Sequence, residues 1–204
     1  MPKIVDHDER RAHIAAAVLR VIARDGVKGA DLRSVAKEAG CSTGVIAHYV
    51  GDKQALLLGA LSEAMNHVAR AMADVAEGQS GLARLVAMLE AGMPLDAERA
   101  ASCRIFYHFA AEGMSEPALA NELASYYDWW RREVGDVIES LQGEGYFVGQ
   151  DPSALAETLV GLAEGLAIQG VFAADLPHSL RLSGRLADAI ARFDAPHPLQ
   201  EHMA

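Results

Sequence analysis

Residues 39–53 read AGCSTGVIAHYVGDK and gather Ser42, Thr43, His48, Tyr49 and Lys53 within a few helical turns. Hydroxyls, an imidazole, a phenol and an ammonium group at this density are suited to gripping a polar surface by hydrogen bonds and charge. They do not form a bond-making constellation. The chain contains no nucleophile elbow, P-loop, dinucleotide fingerprint or HExxH, and spacing assembles no Ser/His/Asp set, so an enzyme is not expected. Cys41 and Cys103 lie far apart without a CxxC partner, and the eight histidines are scattered, so neither a metal site nor another cofactor is expected. Taken singly, His48 and Tyr49 are equally well explained as packing, and Lys53 as a solvated cap. Together they raise the question of why a short helix after a glycine turn carries small and polar residues outward.

The elements that must position these residues are helical. Apolar residues recur every three or four positions almost throughout, with no sustained alternation, which predicts an all-α chain. Ile14, Val18, Val21 and Ile22 form the first stripe, ended at Asp25-Gly26, where glycine suits a left-handed helix end. Asp31 reads as the N-cap of a helix that buries Leu32, Val35, Ala36 and Ala39 and stops at Gly40. Ser42 caps a short helix to about Tyr49, with Ile46 inward and Val50 closing the core just beyond it. Asp52 caps a long helix from Lys53 to about Val75. Further helices are expected at 82–91, 95–113, 116–141, 152–174 and 178–193. The cleanest stripe is Leu119, Leu123, Tyr126, Tyr127, Trp130, Val134, Val137, Ile138 and Leu141. Residues 195–204 read as a frayed tail.

Charge is divided along the chain. The net charge is −10, yet residues 1–53 carry nine Lys/Arg against seven Asp/Glu, leaving the strongly acidic balance to the remainder. Such a division suits a part that approaches a polyanion and a part that phosphate repels. The opening MPKIVDHDERR is too charged for a signal peptide. The apolar run LVGLAEGLAIQGVFAA is interrupted by Glu164 and Gln169 and is short for a bilayer. The expectation is therefore a cytoplasmic protein with no membrane association.

Two short helices separated by Gly40-Cys41-Ser42 and preceded by a longer one have the sequence form of a helix-turn-helix. Small residues in the turn let the helices cross closely, Val35, Ala36 and Ile46 fill their junction, and the second helix is left free to enter a major groove. The stretch DLRSVAKEAGCSTGVIAHYVGDKQALL closely resembles the DNA-binding segment of the tetracycline-repressor (TetR) family. The likeness covers roughly residues 8–60, and GVIAHYVGDKQALL is nearest in wording to the betaine-regulator branch. The resemblance implies that Arg33 reaches a base edge or phosphate, and that Ser42, Thr43, Val45, Ala47 and His48 face the groove. It further implies close backbone approach at Gly44 and phosphate contacts from Tyr49 and Lys53. Ala47 stands where relatives usually carry an aromatic residue and Val50 where they carry phenylalanine, so the operator sequence does not transfer.

The second half offers a different chemistry. Seven of the chain's twelve aromatic residues lie between 106 and 130. Cys103, Phe106, Tyr107 and Ala110 share one helix face, and with Tyr126, Tyr127 and Trp130 they suggest a small-molecule cavity. Glu164 adds a carboxylate, and ring faces with a carboxylate suit a cationic or apolar effector. Residues 154–173 are apolar nearly all round. Gly161 and Gly165 on that helix, with Leu182, Leu186, Ile190 and Phe193 on the last, suit either an internal core or a homodimer interface, and the resemblance to a family of four-helix-bundle dimers implies the interface. The organisation expected is a helix-turn-helix DNA-binding domain over residues 1–53 and a helical ligand-binding and dimerisation domain over 54–194, joined by a long helix. The resemblance implies a repressor that binds double-stranded operator DNA and is released by its effector. The competing expectation is a helical ligand-binding or protein-interaction module that does not read DNA.

Overall fold

Nine α-helices and no strand are found among the described residues, 7–172 and 176–194, of the computed structural model. They are α1 (His7–Gly29), α2 (Leu32–Glu38), α3 (Thr43–Val50), α4 (Lys53–Ala76), α5 (Gly81–Glu90), α6 (Ala97–Gly113), α7 (Pro117–Gly143), α8 (Pro152–Val171) and α9 (Leu176–Asp194). The expected tail at 195–204 lies outside the described residues. Side-chain caps start the helices where the sequence places them. The Asp31 carboxylate accepts from the amides of Arg33 and Ser34, the Asp52 carboxylate from Ala55, and the Asp151 carboxylate from Ala154. Most starts fall within a residue of expectation, but α6 and α9 are each displaced by two. Asp96 accepts from the Arg99 amide and side chain, so α6 opens at Ala97 rather than at Leu95, which is buried in the preceding turn.

The chain divides into two compact units, and the division does not follow a boundary at residue 53. The first combines Met1–Ala69 with Ala101–Tyr126, the second Arg70–Ala100 with Tyr127–Ala204. The long helices α4 and α7 each contribute to both.

In the first unit α1, α2 and α3 pack on one another around Ile14, Val18, Val21, Ile22, Val35 and Ile46, each at most 1% exposed. The helical path of α1 breaks at Gly26, whose φ of 72° belongs to the left-handed region, before one last turn. Glu38 near the end of α2 receives Arg20 at 2.8 Å and Arg24 at 3.1 Å, both from α1. His13 meets the carbonyl of Ala39 at 3.2 Å. Hydrogen bonds from Arg20, then Arg24, hold the Glu38 carboxyl below its ordinary value of 4.5.

In the second unit α5, α8 and α9 pack together. Leu155, Ala156, Leu159, Val160, Ala163, Leu166, Ala167 and Gly170 form the buried face of α8. This helix is long and apolar enough by length and composition to cross a membrane, contrary to the sequence expectation, and one face of it is buried in this packing. Leu182, Leu186 and Ile190 are at most 1% exposed, so the α9 stripe expected at an intersubunit face lies in the unit's own core. Trp130 is likewise core at 2% exposure. Its ring lies 3.3 Å from where a Cβ on Gly92 would stand.

A Cβ on Gly170 would stand 2.7 Å from Pro94 and 3.0 Å from Leu182. Gly170→Ala should therefore destabilise the chain by about 1–3 kcal/mol in thermal or urea unfolding. For Glu38, a folded pKa below the unfolded one stabilises the native state above the ordinary glutamate range, and the contribution is lost as pH falls through the lowered value. Glu38→Gln should be less stable than the parent chain near neutrality, and the difference should vanish in acid.

Candidate nucleic-acid interface

The turn between α2 and α3 is fixed by backbone chemistry. The amide of Cys41 donates to the carbonyl of Ala36 at 3.0 Å and that of Gly40 to Lys37 at 3.3 Å, the paired bonds of a Schellman helix end. That motif requires a left-handed residue, and Gly40 supplies it with φ of 64°. The α2 start is equally determined. Asp31 and Ser34 exchange side-chain-to-backbone bonds in a capping box, and the Ser34 hydroxyl also donates to the Gly29 carbonyl at 2.7 Å. The Ser34 amide, then its hydroxyl, hold the Asp31 carboxyl below its ordinary value.

With the turn set, α3 has one way to face. Ile46 is fully buried and pins the helix down, while Thr43, Gly44, Ala47 and His48 are exposed on the opposite side. Spacings of one, four and five residues put those four on a single outward strip. Val45 and Tyr49 are half-buried on its flanks, so Val45 is less available than the resemblance implies. Ser42 is exposed, but its hydroxyl already accepts from the Val45 amide at 3.3 Å. The His48 and Tyr49 rings meet edge to face, with centroids 5.2 Å apart. No Cβ-blocking atom lies within 3.8 Å of Gly44, and its backbone is open to close approach.

The cations around this strip fall into two groups. Arg20 and Arg24 are engaged with Glu38 and Asp25 and brace α1 against α2. Arg33, Lys37 and Lys53 are exposed and make no ion pair among the described residues. Lys37 was not singled out from the sequence. Its signal is its spacing of four from Arg33, which puts both cations on one face of α2. Lys53 opens α4, where the Asp52 carboxylate accepts from the Ala55 amide.

The expected pocket residues separate between the two units. In the first, Cys103 and Tyr126 are buried, and Phe106, Tyr107 and Ala110 are half-buried. The Phe106 ring lies 5.7 Å from Tyr107 and 5.6 Å from Tyr126 by centroids. In the second unit Tyr127 and Glu164 are half-buried and Trp130 is core. Of the expected interface residues, Gly161 and Phe193 are exposed and Gly165 is half-buried, each within the second unit. No group of three metal-ligating side chains occurs among the described residues.

Residues 81–194 match the family described as BetI-type transcriptional repressor, C-terminal, which spans more than half of the chain. The HTH-type transcriptional regulator BetI of Paraburkholderia phymatum is 34% identical over 125 residues, which cover 58% of this chain and 62% of that protein. A structure described as a TetR-family transcriptional regulator from Rhodococcus sp. superposes with a TM-score of 0.81 at 26% identity, covering 92% of this chain and all of the other. A transcriptional regulator from Saccharomonospora viridis, solved in complex with choline, has the same fold, with a TM-score of 0.80 at 24% identity over 90% of this chain and 96% of that one. A helix-turn-helix with an outward polar strip, followed by this C-terminal match, places the chain in one family: it belongs to the BetI-type TetR-family transcriptional regulators.

Proposed function

We propose that this chain is a homodimeric repressor that binds a pseudo-palindromic operator through α3 and is released by a small apolar or cationic effector. The observation that carries the reading is the exposed strip Thr43, Gly44, Ala47 and His48 above fully buried Ile46. A helix held by one buried isoleucine and a glycine turn, whose outward side chains apart from His48 are small, suits entry into a major groove. Arg33 and Lys37 on α2 and Lys53 on α4 supply positive charge beside it, in a chain whose net charge is −10. Arg33 is the base-edge or near-base contact, and Tyr49 and Lys53 are phosphate contacts. His48 and Thr43 approach base edges, Val45 and Ala47 contribute apolar contact, and Ser42 sets the helix start while lying at the backbone.

Dimerisation is proposed through the outward faces of α8 and α9. Gly161 and Gly165 allow close helix approach there, and Ile168, Phe172 and Phe193 are 41%, 83% and 36% exposed. Glu157 on α8 and Arg185 on α9 are exposed with opposite charge, which favours an isologous pairing of the same patch on two copies. The effector is proposed to lie against the ring faces of Phe106, Tyr107 and Tyr126, which suit an apolar body or a quaternary ammonium group. Choline and glycine betaine are the first probes to use. An effector acts only through its preference for the conformation that does not fit the operator.

The DNA reading is tested by salt-dependent binding to a selected duplex. Lys53→Ala should weaken all duplexes and reduce the log–log salt slope by about 0.9. Arg33→Ala should lose discrimination at particular base pairs by about 1–3 kcal/mol. Unchanged binding in both variants removes these contacts from the account. Assembly is tested by Gly161→Leu. Gly161 is exposed and no atom lies within 4 Å of a Cβ placed there, so the side chain leaves toward open space in the protomer and toward the partner helix in a close dimer. The variant should sediment as a folded monomer that fails to bind operator. An unaltered dimer would move the interface elsewhere.

A further inference from the structure

A cleft of about 480 Å³ opens in the first unit between α1, the end of α3 and the first turns of α4. Its volume is within the usual range of small-molecule sites. The floor is apolar and built of small side chains: Ala15 and Val18 from α1, Val50 from α3, and Ala55, Gly59 and Ala60 from α4. Gly59 is exposed in this cleft, and a Cβ added to it would meet nothing within 4 Å. Arg11 and Glu63 stand at the rim, and Tyr49 forms part of the wall. The two rim charges are not equivalent. Glu63 carries an interaction of its own, whereas Arg11 is exposed and makes no ion pair among the described residues. The site therefore offers an apolar trough with one cation available at its edge.

We propose that this cleft is a ligand site for an anionic amphiphile, a medium-chain carboxylate being the simplest, with its alkyl body over Ala15, Val50 and Gly59 and its anionic end at Arg11. From residue 11 to 18 on α1, and from 55 to 63 on α4, the trough runs for roughly 10–12 Å at the helical rise. That length accommodates an alkyl chain of medium length rather than a long one. A carboxylate gains a charge-assisted pair with the guanidinium, and each buried methylene gains hydrophobic free energy. The occupant would also touch Tyr49, the proposed phosphate contact. The site is distinct from the aromatic cluster on α6 and α7, and its occupancy is measurable without DNA.

The test is calorimetric titration of the full-length chain with hexanoate, octanoate and decanoate, and with decyltrimethylammonium as the cationic counterpart. The expected result is saturable carboxylate binding that tightens about fourfold per methylene, the equivalent of the transfer free energy of one CH₂. Arg11→Gln should weaken decanoate roughly tenfold while leaving decyltrimethylammonium unaffected, as expected for loss of a charge-assisted bond. Gly59→Leu, which fills the trough without a clash, should abolish decanoate binding. Circular dichroism of both variants checks that the fold is retained, and if Gly59→Leu fails to fold, Arg11→Gln still decides. The proposal is overturned if decanoate does not bind the parent chain, if both variants bind it as the parent does, or if the ammonium compound binds more tightly and depends on the same residues.

Discussion

Everything about the outward face of α3 depends on the turn that precedes it. Two backbone hydrogen bonds close the end of α2, and they form only because Gly40 adopts a conformation that a Cβ would make costly. The turn delivers Ser42 in extended geometry as the next cap, and within one helical turn Ile46 drops into the core between α1 and α2. Four exposed positions then follow from helical periodicity alone. Two short helices of seven and eight residues would be marginal in isolation. Their stability comes from the shared core and from the caps at both ends.

Electrostatics in the first unit serve two separate ends. Arg20 and Arg24 hold Glu38, and exposed pairs of this kind add little to stability individually but fix the crossing of α1 and α2. Arg33 and Lys37 lie four residues apart on the exposed face of α2, a like-charge spacing that mildly disfavours the free helix and is relieved by an anion. A count of basic residues along residues 1–53 treats all nine alike. The structure separates those that hold the fold from those that face outward.

Local signals were legible in the sequence because they act over three or four residues. The caps at Asp31, Ser42 and Asp52 and the glycine stop at Gly40 needed no tertiary information. Asp96 carries the same kind of signal, masked in the pattern by the apolar Leu95 beside it. The α9 stripe shows where such reading ends. Periodicity identified Leu182, Leu186 and Ile190 as one buried face, but it does not say whether the burying surface belongs to the same chain or to another, and here it is the chain's own α5 and α8. Trp130 was ambiguous for the same reason, since aromatic composition is shared by cavities and cores. The cleft beside Val50 was not legible at all, because empty space arises from several small residues on three helices.

The strip Thr43, Gly44, Ala47 and His48 is proposed to read DNA in two copies. Selection of bound duplexes from a random pool by the purified full-length chain tests it most directly. The expected result is enrichment of two half-sites related by a two-fold axis, with the preferred bases changed when His48 is replaced by alanine. Recovery of unenriched sequence, or of an enriched site without two-fold symmetry that His48→Ala leaves unchanged, would contradict it.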